Sequence, residues 1–285
     1  MKELIKASSE VIGKKLDDDR FLVVGNAFGK RSMFLYDIHG ERPHYIIKMP
    51  GNIEGMERCK IEYEALEYLK TEKLPNIEHA VPIGKVNYHG IECFIQTTVY
   101  GKPMLGKLRL FRKTPNEGQF RFVTDHLIAI YNSTRHLSRQ KDRSYSSCFQ
   151  HGDFWLGNLA RSGNSLILHD LEFATTTGQP LYDLLHFGMY HHRVVQNIGK
   201  VGRSITGNRG QSDKDQRVFE LSSYDVEAVL EASGPFSKIM KECVLRYLRS
   251  CNIDRNDGLQ LIRDYIKDDR KIKDVSDDRL VRVLD

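Results

Sequence analysis

His151-Gly152-Asp153-Phe154-Trp155-Leu156-Gly157-Asn158, followed by Leu168-His169-Asp170-Leu171-Glu172, is the stretch whose reading decides the fold of this 285-residue chain. Between its halves, Leu159-Ala160-Arg161 and Ser165-Leu166-Ile167-Leu168 are short strand-like runs. Ser162-Gly163-Asn164 separates them with residues suited to a tight turn, Gly and Asn being free to take positive φ. The segment therefore reads as a β-hairpin whose turn lies midway between Asn158 and Asp170. Directly opposite residues of such a ladder are about 4.5 to 5.5 Å apart, a span that one cation can bridge. Mg²⁺ prefers hard oxygen ligands, so the Asn158 amide oxygen and the Asp170 carboxylate, with the phosphates of a nucleotide, make a suitable set. Asp153, five residues before Asn158, is placed to orient an attacking hydroxyl without competing for the metal. Taken singly, each is an ordinary loop polar residue; as a set with a hairpin between them they point to phosphoryl transfer.

The wording His-Gly-Asp, four residues, Asn, then a hairpin and an Asp resembles the catalytic core of the aminoglycoside phosphotransferase and choline kinase group, relatives of the protein kinases. A protein kinase carries His-Arg-Asp with the same Asp-to-Asn spacing and a later metal-binding Asp. The resemblance implies a catalytic base at Asp153, metal ligands at Asn158 and Asp170, and a loop-bracing role for His151. Asp170 is followed by Leu171-Glu172-Phe173, so Asp-Phe-Gly is missing, and there is no Ala-Pro-Glu. That favours the small-molecule kinases. The implied fold class is α+β: a bilobal, protein-kinase-like fold with a small antiparallel sheet in residues 1–99, which bind the nucleotide, and a larger, mainly helical part in 100–285, which carries catalysis and the acceptor.

A kinase core needs a lysine for the α and β phosphates. Tyr45-Ile46-Ile47-Lys48-Met49 is a strand-like run before Pro50-Gly51, and Lys48 fits the family pattern. The following helical segment, 58–73, has an apolar stripe of Ile61, Ala65, Leu66 and Leu69 and offers the carboxylate that would hold the lysine. Glu62 is the first choice and Glu64 the second. Upstream, Phe21–Val24 and Ser32–Tyr36 read as strands joined by Gly25-Asn26-Ala27-Phe28-Gly29-Lys30-Arg31, which could cover phosphates but has neither a full glycine fingerprint nor a P-loop. Ile91 to Val99 is a strand that, by the resemblance, leads into the hinge, where backbone groups of Thr97 and Val99 would bond adenine.

Composition agrees with a soluble enzyme. At 40% hydrophobic residues the chain can bury a core in each of two lobes. It has no run of about 18 apolar residues and no charged-then-apolar leader, so neither a membrane span nor a secretory signal is expected and a cytoplasmic location is. Five scattered cysteines without a C-x-x-C suggest reduced thiols, with neither a zinc site nor a disulfide frame. Net charge is +5, with the densest basic stretch at Lys102 to Lys113, including Lys107, Arg109, Arg112 and Lys113 around Phe111. Such a stretch is more often a solvated face than a nucleic-acid site, and no nucleic-acid partner is expected.

The second half is helical in pattern. Phe122 to Leu137 carries Val123, Leu127, Ile130, Tyr131 and Thr134 on one face. A helix begins at Pro180-Leu181-Tyr182-Asp183, where Asp183 resembles an Asp that the family uses to tie down the catalytic loop. His191-His192 point about 100° apart on a helix and have no third partner for a metal. Residues 199–215 are Gly-, Ser- and Asn-rich and read as a loop that could cover an acceptor; 226–230, 239–248 and 259–266 are amphipathic. The expected partners are thus ATP, or GTP in its place, with Mg²⁺, and a small polar acceptor with a hydroxyl. A sugar or aminoglycoside-like acceptor is the first reading; choline, ethanolamine or a fructosamine is the second, with Tyr182, Phe187, Tyr190 and Tyr224 as candidate aromatics. A reading of another class is a catalytically idle nucleotide-binding module.

Overall fold

The structure is a computed structural model that describes residues 1–25, 29–38, 40–105, 117–136, 143–190 and 235–268. Loop residues 26–28, the basic side chains of Lys107, Arg109, Arg112 and Lys113 with Phe111, the His191-His192 pair, segment 199–215, Tyr224 and the 226–230 helix lie outside the described residues. The chain forms two units, residues 1–101 with 167–175 and residues 102–166 with 176–285.

In the first unit, alternation of side chains builds an antiparallel sheet of β1 (Leu16–Gly25), β2 (Lys30–Asp37), β3 (Pro43–Pro50), β5 (Pro82–Tyr88) and β6 (Ile91–Thr97), in the order β1-β2-β3-β6-β5. β4 (Ile77–His79) is a short strand before β5. The register Met33↔Ile47↔Ile95 places these three fully buried residues on one face, while Leu22↔Phe34↔Ile46↔Gln96 places its members on the other. The first face is covered by α1 (Lys2–Ile12), a helix not expected from the pattern of the sequence; its Leu4 and Ile5 join Leu16, Met33, Leu35, Ile47 and Ile95 in one core.

α2 (Ile53–Thr71) packs on β3. Asn52 starts it, its side-chain oxygen accepting from Gly55 N–H at 2.7 Å, and close approach to Asn52 requires the glycine at 29, where φ is +71° and a Cβ would meet the Asn52 amide. The buried row of α2 is Cys59, Glu62, Ala65, Leu66 and Leu69, whereas Ile61 lies on the exposed side. The expected stripe thus holds at Ala65, Leu66 and Leu69, while Ile61 gives way to Cys59 and Glu62, so the buried row carries a carboxylate.

The second unit holds α3 (Glu117–Thr134), α4 (182–190), α5 (Pro235–Ser250) and α6 (Arg255–Asp268). Phe120, Val123, Leu127, Ile130 and Tyr131 of α3 are buried, and α3 packs on α5 with an Asp125–Arg246 ion pair at 2.6 Å on the rim. β7 (Lys102–Pro103) pairs with β9 (Leu159–Ser162), and β9 with β10 (Ser165–Leu168) across a turn in which Gly163 has φ +58°. The hairpin read from the sequence is thus formed. Two further strands, β8 (Cys148–Gln150) and β11 (Thr175–Gly178), pair with each other. An antiparallel sheet in the first unit and mainly helices in the second make the molecule α+β, the class the sequence led us to expect. All five cysteines are buried and free, and among the described residues no helix is long and apolar enough to cross a membrane.

Candidate active site

β3 and α2 bring Lys48 and Glu62 together. Lys48 Nζ lies 3.2 Å from Glu62 Oε1, and Gln96 Nε2 donates to the same oxygen at 3.3 Å. Glu62 is 2% exposed; Glu64, the second choice, is on the exposed side of the helix. Burial explains the preference, because a carboxylate withdrawn from water needs a counter-charge and a surface one does not.

Lys48 and Glu62 open onto a cavity of about 270 Å³ within the first unit, lined also by Phe34 and Ile46 from the sheet, by residues 97–100 and by 168–171. The apolar walls suit a flat ring, and the lysine suits phosphate. Thr97 ends β6 with its N–H already donating to Val81 O at 2.9 Å and its Oγ1 accepting from Val81 N–H at 2.8 Å. The Thr98 N–H is likewise committed, to His44 O at 2.8 Å. Val99 lies beyond the ladder on the cavity wall.

Asp170 also lines this cavity, with its side chain 38% exposed and its backbone at φ +57°. Left-handed backbone at a non-glycine residue costs about 1–2 kcal/mol, which marks a position held by its surroundings. What holds it is Lys30, the first residue of β2, which is 1% exposed and so does not face the solvent side of the glycine loop. Lys30 Nζ is 3.3 Å from Asp170 Oδ1 and 3.7 Å from Glu62 Oε2, and it is paired with Glu172 Oε2. Burial works to strip its proton, but Glu62, Asp170 and Glu172 outweigh this and raise its pKa, so the ammonium is retained. Phe173, the next residue along, lies under the Arg58 guanidinium of α2 at 4.0 Å.

In the second unit, the 151–158 loop is organised by Asp183 of α4, whose carboxylate accepts from His151 N–H at 2.7 Å and Gly152 N–H at 3.0 Å. Burial pushes the Asp183 carboxyl up, opposed by the nearby His151 ring and the two amide hydrogen bonds. His151, 1% exposed, accepts at Nδ1 from Asp153 N–H at 3.3 Å. Asn158 closes the loop through its amide nitrogen, which donates to Asp153 O at 3.0 Å and Asp153 Oδ2 at 2.8 Å. With its NH₂ so used, the Asn158 carbonyl oxygen is the end left for a hard cation.

Asp153 has a second neighbour that the sequence reading did not single out. His186, 6% exposed on α4, places Nε2 3.4 Å from Asp153 Oδ1. Its ring lies near Tyr190 and Tyr265 and is stacked with Tyr182, at centroid distances of 4.3, 6.5 and 5.9 Å. Burial works to raise the Asp153 pKa, but His186, His151 and the Asn158 amide together hold it below the usual aspartate value. The available signal was spacing: His186 falls three residues after Asp183, on the same face of its helix.

Asp170 in the first unit and Asn158 in the second each carry a hard oxygen of the kind Mg²⁺ prefers, and among the described residues no group of three or more His, Cys, Asp or Glu side chains could hold a metal ion by itself.

No protein-family model matches the chain, and no curated protein matches it in sequence. Among solved structures it is similar to the macrolide 2'-phosphotransferase MphH of Brachybacterium faecium, at 13% identity and TM-score 0.40 over 88% of this chain and 94% of that one. It is also similar to APH(2")-IIia in complex with GDP and kanamycin, at 12% identity and TM-score 0.47 over 95% and 99%. A thermostable mutant of aminoglycoside phosphotransferase APH(4)-Ia, in ternary complex with ADP and hygromycin B, is similar at 11% identity and TM-score 0.44 over 96% and 100%.

Proposed function

We propose that the protein is a small-molecule kinase that moves the γ-phosphoryl group of ATP to a hydroxyl of a polar acceptor, a sugar or aminoglycoside-like compound in the first instance. The observation that carries this reading is the cavity of the first unit, where the Lys48–Glu62 ion pair and Asp170 share one wall system with a segment, 97–100, whose last residues lie beyond the sheet. A buried ion pair is costly to assemble for stability alone, and its placement at an apolar slot suits a nucleotide.

Lys48, held by Glu62, would take the α and β phosphates, and the adenine would bond the backbone at Val99, since the Thr97 and Thr98 amides are already paired. Asp170 and Asn158 would hold Mg²⁺, which supplies charge neutralisation at the phosphates. Asp153, ionised and oriented by His151 and Asn158, would align the acceptor hydroxyl and accept its proton late in a loose transition state. The group that accepts the proton is thus a carboxylate with a low pKa, which suits positioning better than strong base chemistry. Buried free thiols agree with a reducing, cytoplasmic setting. We assign nucleotide binding chiefly to residues 1–99, with Tyr100 and 168–171 completing the cavity wall, and catalysis and acceptor binding to 100–285.

ATP consumption measured against a panel of aminoglycosides, monosaccharides, choline, fructosamines and peptides tests the proposal. Turnover with a hydroxylated small molecule is expected; nucleotide binding without turnover on any of them would make the protein an idle binding module.

A further inference from the structure

Lys30 is spent where a lysine is costly. Its side chain is 1% exposed, so its ammonium has given up water, and its place is set by β2, where Lys30 pairs with Pro50 next to the Gly51 N–H to Gly29 O hydrogen bond of 2.6 Å. What it gains is three carboxylates: Asp170 Oδ1 at 3.3 Å, Glu62 Oε2 at 3.7 Å and the paired Glu172 Oε2. Asp170 and Glu172 stand two residues apart on one segment, and both are aimed at a single cation. In a protein kinase, two divalent ions are held by the corresponding Asp, the catalytic-loop Asn and the phosphates. Here a compact, strongly charged ammonium already occupies Asp170 Oδ1 and is paired with Glu172 beside it. A second divalent ion bound by both would have to displace it, taking two of the three carboxylates from a buried Lys30 or forcing three positive charges into contact.

Resting on the nucleotide-site reading above, we propose that Lys30 is a resident cation that stands in for a second divalent ion between Asp170 and Glu172, so that the protein works with one Mg²⁺ per bound nucleotide. Lys48, which lines the cavity, cannot serve in this way, because it is paired with the opposite oxygen of Glu62. Glu62 is thereby shared by two lysines with separate tasks: Lys48 at the nucleotide, Lys30 at the metal side.

The test counts ions. Mn²⁺ replaces Mg²⁺, adenylyl imidodiphosphate is added to saturation, and electron paramagnetic resonance of free Mn²⁺ gives the number bound per chain. One Mn²⁺ is expected for the wild type, two for Lys30→Met, which frees Asp170 and Glu172, and one again for Lys30→Met/Glu172→Gln. Two ions in the wild type, or one in Lys30→Met, would overturn the assignment while leaving the nucleotide reading in place. Failure of the analogue to bind the wild type at all would overturn both. Should Lys30→Met not fold, an anomalous map of wild-type crystals grown with Mn²⁺ and the analogue decides. One peak on Asp170 with Lys30 still on Glu172 supports the proposal, and a peak between Asp170 and Glu172 ends it.

Discussion

Asp153 is held from three sides, by the His151 ring through its own amide, by Asn158 and by His186. Asp153→Asn is therefore expected to keep the fold and nucleotide affinity while kcat drops by about 10²–10⁴, the usual share of a positioned proton acceptor; near-normal kcat would remove it from the reaction. The folded-state pKa of Asp153 lies below its unfolded value, so its contribution to stability is present above about pH 4 and is lost as pH falls through the folded value. Thermal denaturation from pH 5 downwards should accordingly show a shallower acid-side loss in Asp153→Asn than in the wild type. For the lysine partner, the contrast of Glu62 and Glu64 gives a clean pair: Glu62→Gln should weaken the thermal shift produced by ADP, and Glu64→Gln should leave it unchanged, because only Glu62 reaches Lys48.

At the level of elements, the 151–158 loop is tied down by α4 as well as by its own hydrogen bonds. Asp183→Ala removes the acceptor of two backbone N–H groups, and about 2–5 kcal/mol of stability should go with it, read as a lowered midpoint in urea. α2 depends on its start: Asn52→Ala should cost about 1 kcal/mol through the lost cap, again by urea denaturation. α1 is a packing element. Leu4→Ala, at full burial in the sheet core, should cost about 2–5 kcal/mol, with the KM for ATP unaltered in the folded fraction, since α1 covers the face of the sheet opposite Phe34 and Ile46.

For the whole molecule, Mg²⁺-nucleotide that binds only the native state should raise stability by about 2.7 kcal/mol at a hundredfold excess over Kd, a shift that calorimetry would detect and that Lys48→Ala should abolish. What the sequence determined by itself was local. Gly163, at φ +58°, turned the hairpin, alternation in Tyr45–Met49 made a strand with one side buried, and the apolar run in Ile91–Thr97 made a central strand buried on both faces. Spacing also gave Asp153 and Asn158, five residues apart and hydrogen-bonded within one loop. Tertiary structure alone decided which charges meet. The apolar stripe of α2 ranked Glu62 before Glu64, but that β3 buries Glu62 against Lys48 is a matter of packing, and nothing local says that Lys30 reaches Asp170, 140 residues on, or that His186 reaches Asp153. Local conformation follows from sterics and hydrophobic period over a few residues, whereas the pairing of buried charges follows from packing between distant segments, where an unpaired charge would be expelled.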